Sequence, residues 1–278
     1  MSVEAFLLAF AAAWIHGSSN VFVGGRREPE AAYAVMLVVG VVAFAPLAIA
    51  MWRVDASAAP YIAASALLEL GYFAFLAAAY RVSSVSLVYP VARGGAPILV
   101  LLGAVIFVGR GTSGGQIAGV AAVAAGILLV RGVGVSIAAA DARGFLLALV
   151  TAVFIAGYTL VDKEGLKHAA PVPYIELVLV GPALVYLLAI WRVRGREAIR
   201  GETTFRISAV GVILFGTYIL ILLALRLAPA ASVSAIRETS VVIASGVAAL
   251  VAHERVGRAR FAGAALVTAG VVLLALTG

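Results

Sequence analysis

Apolar residues run along the chain in stretches of about 20, and short breaks that carry charged side chains separate these stretches. About 20 apolar residues is the length that an α-helix needs to cross the hydrocarbon core of a bilayer. The pattern predicts ten helices, at residues 5–23, 31–52, 58–80, 85–108, 114–131, 143–162, 171–191, 207–225, 229–252 and 259–277. Strands of an outer-membrane barrel would instead alternate apolar and polar positions. The predicted fold class is therefore an all-α integral membrane protein with ten transmembrane helices.

Composition strengthens this prediction, because 64% of the residues are hydrophobic, 12% are charged and the mean hydropathy is +1.14. Soluble proteins have about 45–50% apolar and about 25% charged residues. Ten helices leave little of the 278 residues for a soluble catalytic domain. The chain has no cysteine, which excludes thiolate metal sites and thiol nucleophiles. Because hydrolase, metalloprotease and nucleotide-binding motifs are also absent, we expect no enzyme activity, cofactor, metal or nucleic-acid partner.

Two short sequences occur twice in the chain. Phe-Leu-Leu-Ala at residues 6–9 recurs at 145–148, and Trp-Arg-Val at 52–54 recurs at 191–193. Both repeats are 139 residues apart, which is half of the chain. Self-similarity at a fixed spacing is the signature of a duplicated unit.

The duplication predicts two domains of five helices each, residues 1–139 and residues 140–278. Because five is an odd number, the second copy enters the membrane from the opposite side, and the two copies form an inverted-topology repeat. Many secondary transporters have such repeats and bind their substrate near the bilayer midplane between them.

Two segments carry a resemblance to a known family. The first is Val85–Arg93 followed by Pro97, and the second is Ser232–Ser240 followed by Glu254–Arg255 and Gly263. With them the chain resembles the EamA domain of the drug/metabolite transporter superfamily, over both halves. The resemblance implies a ten-helix carrier of the inner (plasma) membrane that exports amino acids or other small metabolites. Small multidrug relatives have a glutamate in the middle of helix 1, where this chain has His16.

Charged and titratable side chains are rare inside the predicted helices. Each is a candidate functional residue, because a charge at the bilayer centre costs a few kcal/mol. They are His16, Glu69, Arg93, Glu176, Arg237 and Glu238. The alternative is that these residues form structural salt bridges, for instance between Arg93 and Glu69.

Arg93 and Arg237 occupy equivalent positions in the two repeats, each about eight residues into its helix. The inverted repeat places the two guanidiniums on opposite sides of the midplane, roughly 8–12 Å apart along the membrane normal. Arginine binds carboxylate and phosphonate groups bidentately, so we predict a substrate with an acidic group. An acidic side chain such as Glu69 would hold an amine, which makes an amino-acid-like zwitterion plausible. Arg237 and Glu238 are consecutive and point about 100° apart, so we expect that only one of them touches the substrate.

Helix 1 is unusually polar, and tyrosines lie near the charges in other helices. The counterpart of helix 1 in the second half carries Thr151, Tyr158, Thr159 and Asp162. A packing role for His16, and anchoring or packing roles for the tyrosines, are the alternatives. The predicted substrate-binding residues are Trp14, His16, Asn20, Glu69, Tyr72, Tyr89, Arg93, Tyr158, Arg237 and Glu238.

Proline and glycine mark two further features. Pro90, Gly94, Gly95 and Pro97 surround Arg93 and predict a kink in helix 4. Glycine pairs seven residues apart, at 119 and 126 and again at 263 and 270, predict surfaces for close helix packing or for dimerisation.

The leading functional hypothesis is a secondary carrier that exports a small amphipathic or zwitterionic metabolite by alternating access. Its partners would be the small-molecule substrate, the lipid bilayer and a coupling proton bound at Glu69, Glu238 or His16, in a monomer or homodimer. The alternatives are a flippase for a lipid-linked or phospholipid-like intermediate, a multidrug or organic-cation exporter, and a membrane subunit without transport activity. Sidedness stays open, because 13 basic residues in the odd-numbered loops against 5 in the even-numbered loops place the termini outside, whereas the resemblance implies termini in the cytoplasm.

Overall fold

The computed structural model describes residues 1–20, 28–83, 85–109, 111–131, 142–251 and 258–277. These residues form helices joined by short connections, so the predicted all-α class is confirmed. The helices are α1 (Val3–Asn20), α2 (Pro29–Ala50), α3 (Ala59–Val82), α4 (Val85–Val108), α5 (Gly114–Arg131), α6 (Ala142–Gly165), α7 (Pro171–Glu202), α8 (Phe205–Leu227), α9 (Ala230–Glu238), α10 (Ser240–Val251) and α11 (Arg258–Thr277). A 3₁₀ turn at Ala56–Ala58 precedes α3.

Five helices of the described chain, α2, α3, α6, α7 and α8, are long and apolar enough to cross a membrane. Shorter apolar stretches lie in α1, α4, α5 and α11. The predicted boundaries of most helices agree with the observed ones to within three residues, and those of α4 and α5 are identical. The kink that was predicted in helix 4 does not interrupt α4, which is helical from Val85 to Val108.

The predicted ninth helix is divided into two. α9 ends at Glu238, and α10 begins at Ser240. At the junction, the hydroxyl of Thr239 donates a hydrogen bond to the carbonyl oxygen of Ile236 at 2.7 Å, and so does its backbone N–H at 3.0 Å. Threonine hydroxyls that bond to local carbonyls compete with the regular helix ladder. The prediction of one continuous helix was therefore wrong at this residue.

The prediction of a loop over residues 192–206 was also wrong, because α7 continues to Glu202 across a kink. At the kink, Gly195 has φ 82° and ψ 171°, a conformation that glycine adopts without steric cost. After the kink, Ile199 packs against a buried cluster that includes Met36 and Ile207. The arginines suggested a loop, but the apolar residues between them hold this segment as a helix.

The helices pack in a defined set of pairs. α1 packs on α8, α9 and α10; α2 packs on α7 and α8; α3 packs on α6 and α7; α4 packs on α5, α6 and α9; α5 packs on α11. The largest buried cluster draws apolar residues from both halves of the chain, so the two halves share one core.

Glycines bring α5 and α11 into backbone contact. A Cβ atom on Gly126 would lie 2.7 Å from the carbonyl oxygen of Gly263, and one on Gly270 would lie 2.8 Å from that of Gly119. Carbon atoms do not approach backbone oxygen so closely without displacement of one helix. The predicted role of these glycines in close helix packing is therefore confirmed.

We expect Gly126→Val to destabilise the protein by about 1–3 kcal/mol, because overpacking forces the two helices apart. Thermal unfolding in detergent measures the effect. Gly181→Val in α7 is the matched control, since a Cβ atom at Gly181 meets nothing within 4 Å. Equal melting temperatures for the two variants would contradict the packing account.

Candidate functional site

The polar interior is organised around Glu238, which is fully buried at the C-terminal end of α9. Arg93 of α4 donates from Nη1 to Oε1 of Glu238 at 3.1 Å and to Oε2 at 3.4 Å. Arg237 donates from Nε to the same Oε1 at 3.2 Å. Two guanidiniums thus share one carboxylate, and this trio carries an excess of one positive charge.

This geometry corrects two predictions and the example given for the salt-bridge alternative. Arg93 pairs with Glu238, not with Glu69. The two arginines bond the same oxygen atom, so their bonding nitrogens are closer than the predicted 8–12 Å. Arg237 and Glu238 were expected to point apart, but the long arginine side chain reaches back to its neighbour, and both belong to one cluster.

Arg237 also contacts Tyr158 of α6, whose ring packs on tyrosines of α3 and α8. Its Nη2 donates to the hydroxyl of Tyr158 at 3.0 Å, and its guanidinium carbon lies 5.7 Å from the centre of that ring. The Tyr158 ring makes an edge contact with Tyr72 at 6.1 Å and a tilted contact with Tyr218 at 6.4 Å between centroids. An aromatic wall therefore flanks the cationic trio.

A second polar group lies beyond this wall and joins two buried carboxyls. The hydroxyl of Tyr218 lies 2.8 Å from Oε1 of Glu69 and 3.3 Å from Oδ2 of Asp162. Oδ1 of Asp162 accepts from Ser65 at 2.5 Å and from Tyr174 at 3.0 Å. The group ties α3, α6, α7 and α8 together, and we call Glu69 and Asp162 the acidic pair.

The remaining predicted residues are placed as follows. His16 is half-buried on α1 and lies within electrostatic reach of Arg93 and Arg237. Trp14 is 55% exposed and faces away from the buried groups. Asn20 and Tyr89 lie in α1 and α4, and their side chains fall outside the described structure. Glu176, a further candidate from the sequence, has an Oε2 atom without a hydrogen-bond partner among the described residues.

Sequence reasoning missed part of the second group. Ser65 and Tyr174 gave no signal, because single hydroxyl residues are common in membrane helices. Asp162 was noted as polar but was not among the predicted binding residues. It lies at the charged end of α6, and the structure buries it to 1% exposure.

The arrangement suits solute binding rather than bond-breaking chemistry. The cationic trio offers charge to an anionic group, the tyrosine rings offer apolar area, and the acidic pair offers charge to a cation. No group of three or more metal-ligating side chains occurs in the described part of the chain.

Residues 142–276, most of the second half, match the sequence model of the EamA-like transporter family. The chain carries an EamA-like transporter domain. The match and the five helices that are long and apolar enough to cross a membrane indicate a multi-pass membrane protein that resembles transporters of the drug/metabolite transporter superfamily.

A solved crystal structure shares the fold. It superposes with a TM-score of 0.79 over 99% of this chain and 98% of the other, at 16% sequence identity. At this identity the likeness concerns the fold alone. No curated protein sequence matches the EamA chain.

We expect Glu238→Gln to destabilise the protein by about 3–5 kcal/mol, because it removes the buried carboxylate charge that both guanidiniums bond. Arg93→Gln should cost clearly less, since Arg237 and Glu238 still balance each other. Thermal unfolding of the two variants gives the order. The exposed pair Lys167–Glu164 supplies the control, and Glu164→Gln should change stability by at most about 1 kcal/mol. An Arg93 variant as unstable as the Glu238 variant would refute the shared-carboxylate account.

Proposed function

We propose that this EamA-domain protein is a secondary active transporter that exports a small amphipathic or zwitterionic, amino-acid-like solute. Transport proceeds by alternating access between two inverted five-helix repeats, residues 1–139 and 140–278, which together cross the membrane ten times. The observation that carries the proposal is the buried trio of Arg93, Arg237 and Glu238, with its excess positive charge.

The helix pairs support the repeat. The repeat relates α1 to α6, α2 to α7, α3 to α8, α4 to the α9–α10 unit and α5 to α11. When each helix of a major packed pair is replaced by its counterpart, the result is again an observed pair. The α3–α6 pair becomes α8–α1, and the α4–α6 pair becomes α9–α1. The α2–α7 and α5–α11 pairs map onto themselves. Such internal symmetry is expected of a duplicated transporter.

The chemistry of the site supports the substrate class. A carboxylate or phosphonate on the solute compensates the excess charge of the trio, and guanidinium groups hold such anions bidentately. The rings of Tyr72, Tyr158 and Tyr218 suit an apolar portion of the solute. The acidic pair lies on the far side of Tyr218 and suits an amine. An anion, an apolar body and an amine together describe an amino-acid-like zwitterion.

We expect an acidic or zwitterionic solute to raise the melting temperature of the purified protein, and Arg93→Ala to abolish the rise. A ligand at a hundredfold excess over its Kd contributes about 2.7 kcal/mol of stability. The screen compares amino acids, aminophosphonates, organic cations and lipid headgroup analogues. Arg226→Ala, an exposed arginine at the end of α8, is the matched control.

Two results of this screen would replace the proposal. Stabilisation only by organic cations, unaffected by Arg93→Ala, favours a multidrug exporter with structural arginines. Stabilisation only by lipid headgroup analogues, abolished by Arg93→Ala, favours a flippase.

We propose that the coupling ion is a proton bound by the acidic pair. Glu69 and Asp162 are 3% and 1% exposed, and the single hydroxyl hydrogen of Tyr218 serves both. Two carboxylates that share one site repel each other, and a proton on one of them removes the repulsion. Glu238, another predicted proton site, already has its charge balanced by two guanidiniums.

We expect Glu69→Gln/Asp162→Asn to abolish transport driven by a pH gradient, because no carboxyl of the acidic pair remains to carry the proton. Solute counterflow should weaken but persist, because the trio still binds the anionic group of the solute. Proteoliposomes loaded with the solute found in the screen measure both modes. Glu176→Gln is the control, since this carboxyl lies in α7 outside the acidic pair. Full pH-driven transport in the double variant would exclude the acidic pair as the coupling site.

A further inference from the structure

The segment from Arg192 to Arg206 lies at one end of the helix bundle. From Pro171 to Arg194, α7 is about 36 Å long at 1.5 Å per residue. This exceeds the roughly 30 Å of the hydrocarbon core. The chain then turns at Gly195, so the helical turns that follow lie at the level of the lipid headgroups.

Positive charge dominates this segment, which has five arginines against Glu197 and Glu202. Arg194 pairs with Glu30, with Nη2 to Oε2 at 2.8 Å, and with Glu28, with Nε to Oε2 at 3.7 Å, and Glu202 is buried. The side chains of Arg192, Arg196 and Arg200 are exposed, and they have no ion pair with any residue that the structure describes.

Large apolar side chains are exposed beside these arginines. Trp191 is 51%, Val193 is 69% and Phe205 is 90% exposed. The opposite face of the segment is packed, because Ala198 and Ile199 contact the buried cluster of Ala31, Ala34 and Ile190. One face of the segment therefore packs on the helix bundle, and the opposite, outer face presents guanidiniums and apolar side chains together.

We propose that this outer face, which we call the Arg192–Arg206 surface, binds the headgroups of anionic phospholipids. Arginine bonds phosphate oxygens bidentately, and each basic residue near an anionic membrane surface adds to the attraction. Phe205 and Val193 insert at the boundary of the acyl chains, where aromatic and apolar side chains are stabilised. The apolar contacts favour phospholipid over free phosphate as the occupant. This inference does not depend on the proposed substrate.

The surface also favours one orientation. Anionic lipids are concentrated in the cytoplasmic leaflet, so this end of the bundle faces the cytoplasm if the lipids bind here. The α2 helix begins at this end beside Arg194 and ends at the other.

The experiment titrates the detergent-solubilised full-length protein with phosphatidylglycerol or phosphatidylcholine and follows the melting temperature. The variant is Arg196→Gln/Arg200→Gln. The matched control, Arg53→Gln/Arg226→Gln, removes the same charge from the opposite end, where the carbonyl of Arg53 pairs with Ala170 at the start of α7. We expect phosphatidylglycerol to raise the melting temperature of the wild type and of the control. The variant should need an about tenfold or higher concentration of this lipid for the same rise.

An equal response of wild type and variant to phosphatidylglycerol would overturn the inference, as would an equal response of the wild type to phosphatidylcholine or to inorganic phosphate. Arg196→Lys/Arg200→Lys keeps the charge and should keep most of the response. If the glutamine variant does not fold, the wild type still decides, because 0.5 M NaCl must weaken a headgroup interaction by screening it. A response to phosphatidylglycerol that is insensitive to salt would refute the inference.

Discussion

The interior of this protein depends on one carboxylate that two guanidiniums share. Glu238 is fully buried, and its oxygens receive hydrogen bonds from Arg93 and Arg237. Each of these three side chains would be very unfavourable in a bilayer on its own. Together they stabilise one another, and the cluster keeps an excess of one positive charge. In the proposed transporter, an anionic group of the solute would supply the missing negative charge.

The acidic pair differs from Glu238 in the kind of side chains that it bonds. Glu69 and Asp162 have hydroxyl partners, whereas Glu238 has cationic partners. With one proton on the acidic pair, the two groups together are neutral. Tyr158 and Tyr218 are in ring contact and connect them, so the charge state of one group bears on the other through a short path. This proximity gives a physical basis for linking a proton to solute movement within a single chain.

Much of the fold could be predicted from the sequence because apolar length and charged breaks dictate membrane helices. The failures occurred where local chemistry overrode that pattern. A tightened backbone turn at Thr239 separates α9 from α10, and α7 continues beyond a non-helical residue, Gly195. The duplication predicted that both arginines matter, but helix packing alone decides that they meet at Glu238. Asp162 escaped the predicted site for the same reason, since no spacing in the sequence reveals its contact with Tyr218.

The glycine contacts between α5 and α11 have a mechanical consequence. The backbones of α5 and α11, one helix from each half, are in direct contact, so side chains do not separate them at the glycines. A movement that separated α5 from α11 would expose the backbone of the glycines, which have no side chains to shield it. If the two halves move against each other as proposed, this contact favours a rotation with α5 and α11 as its pivot, and the largest displacements would fall on the helices farthest from that axis.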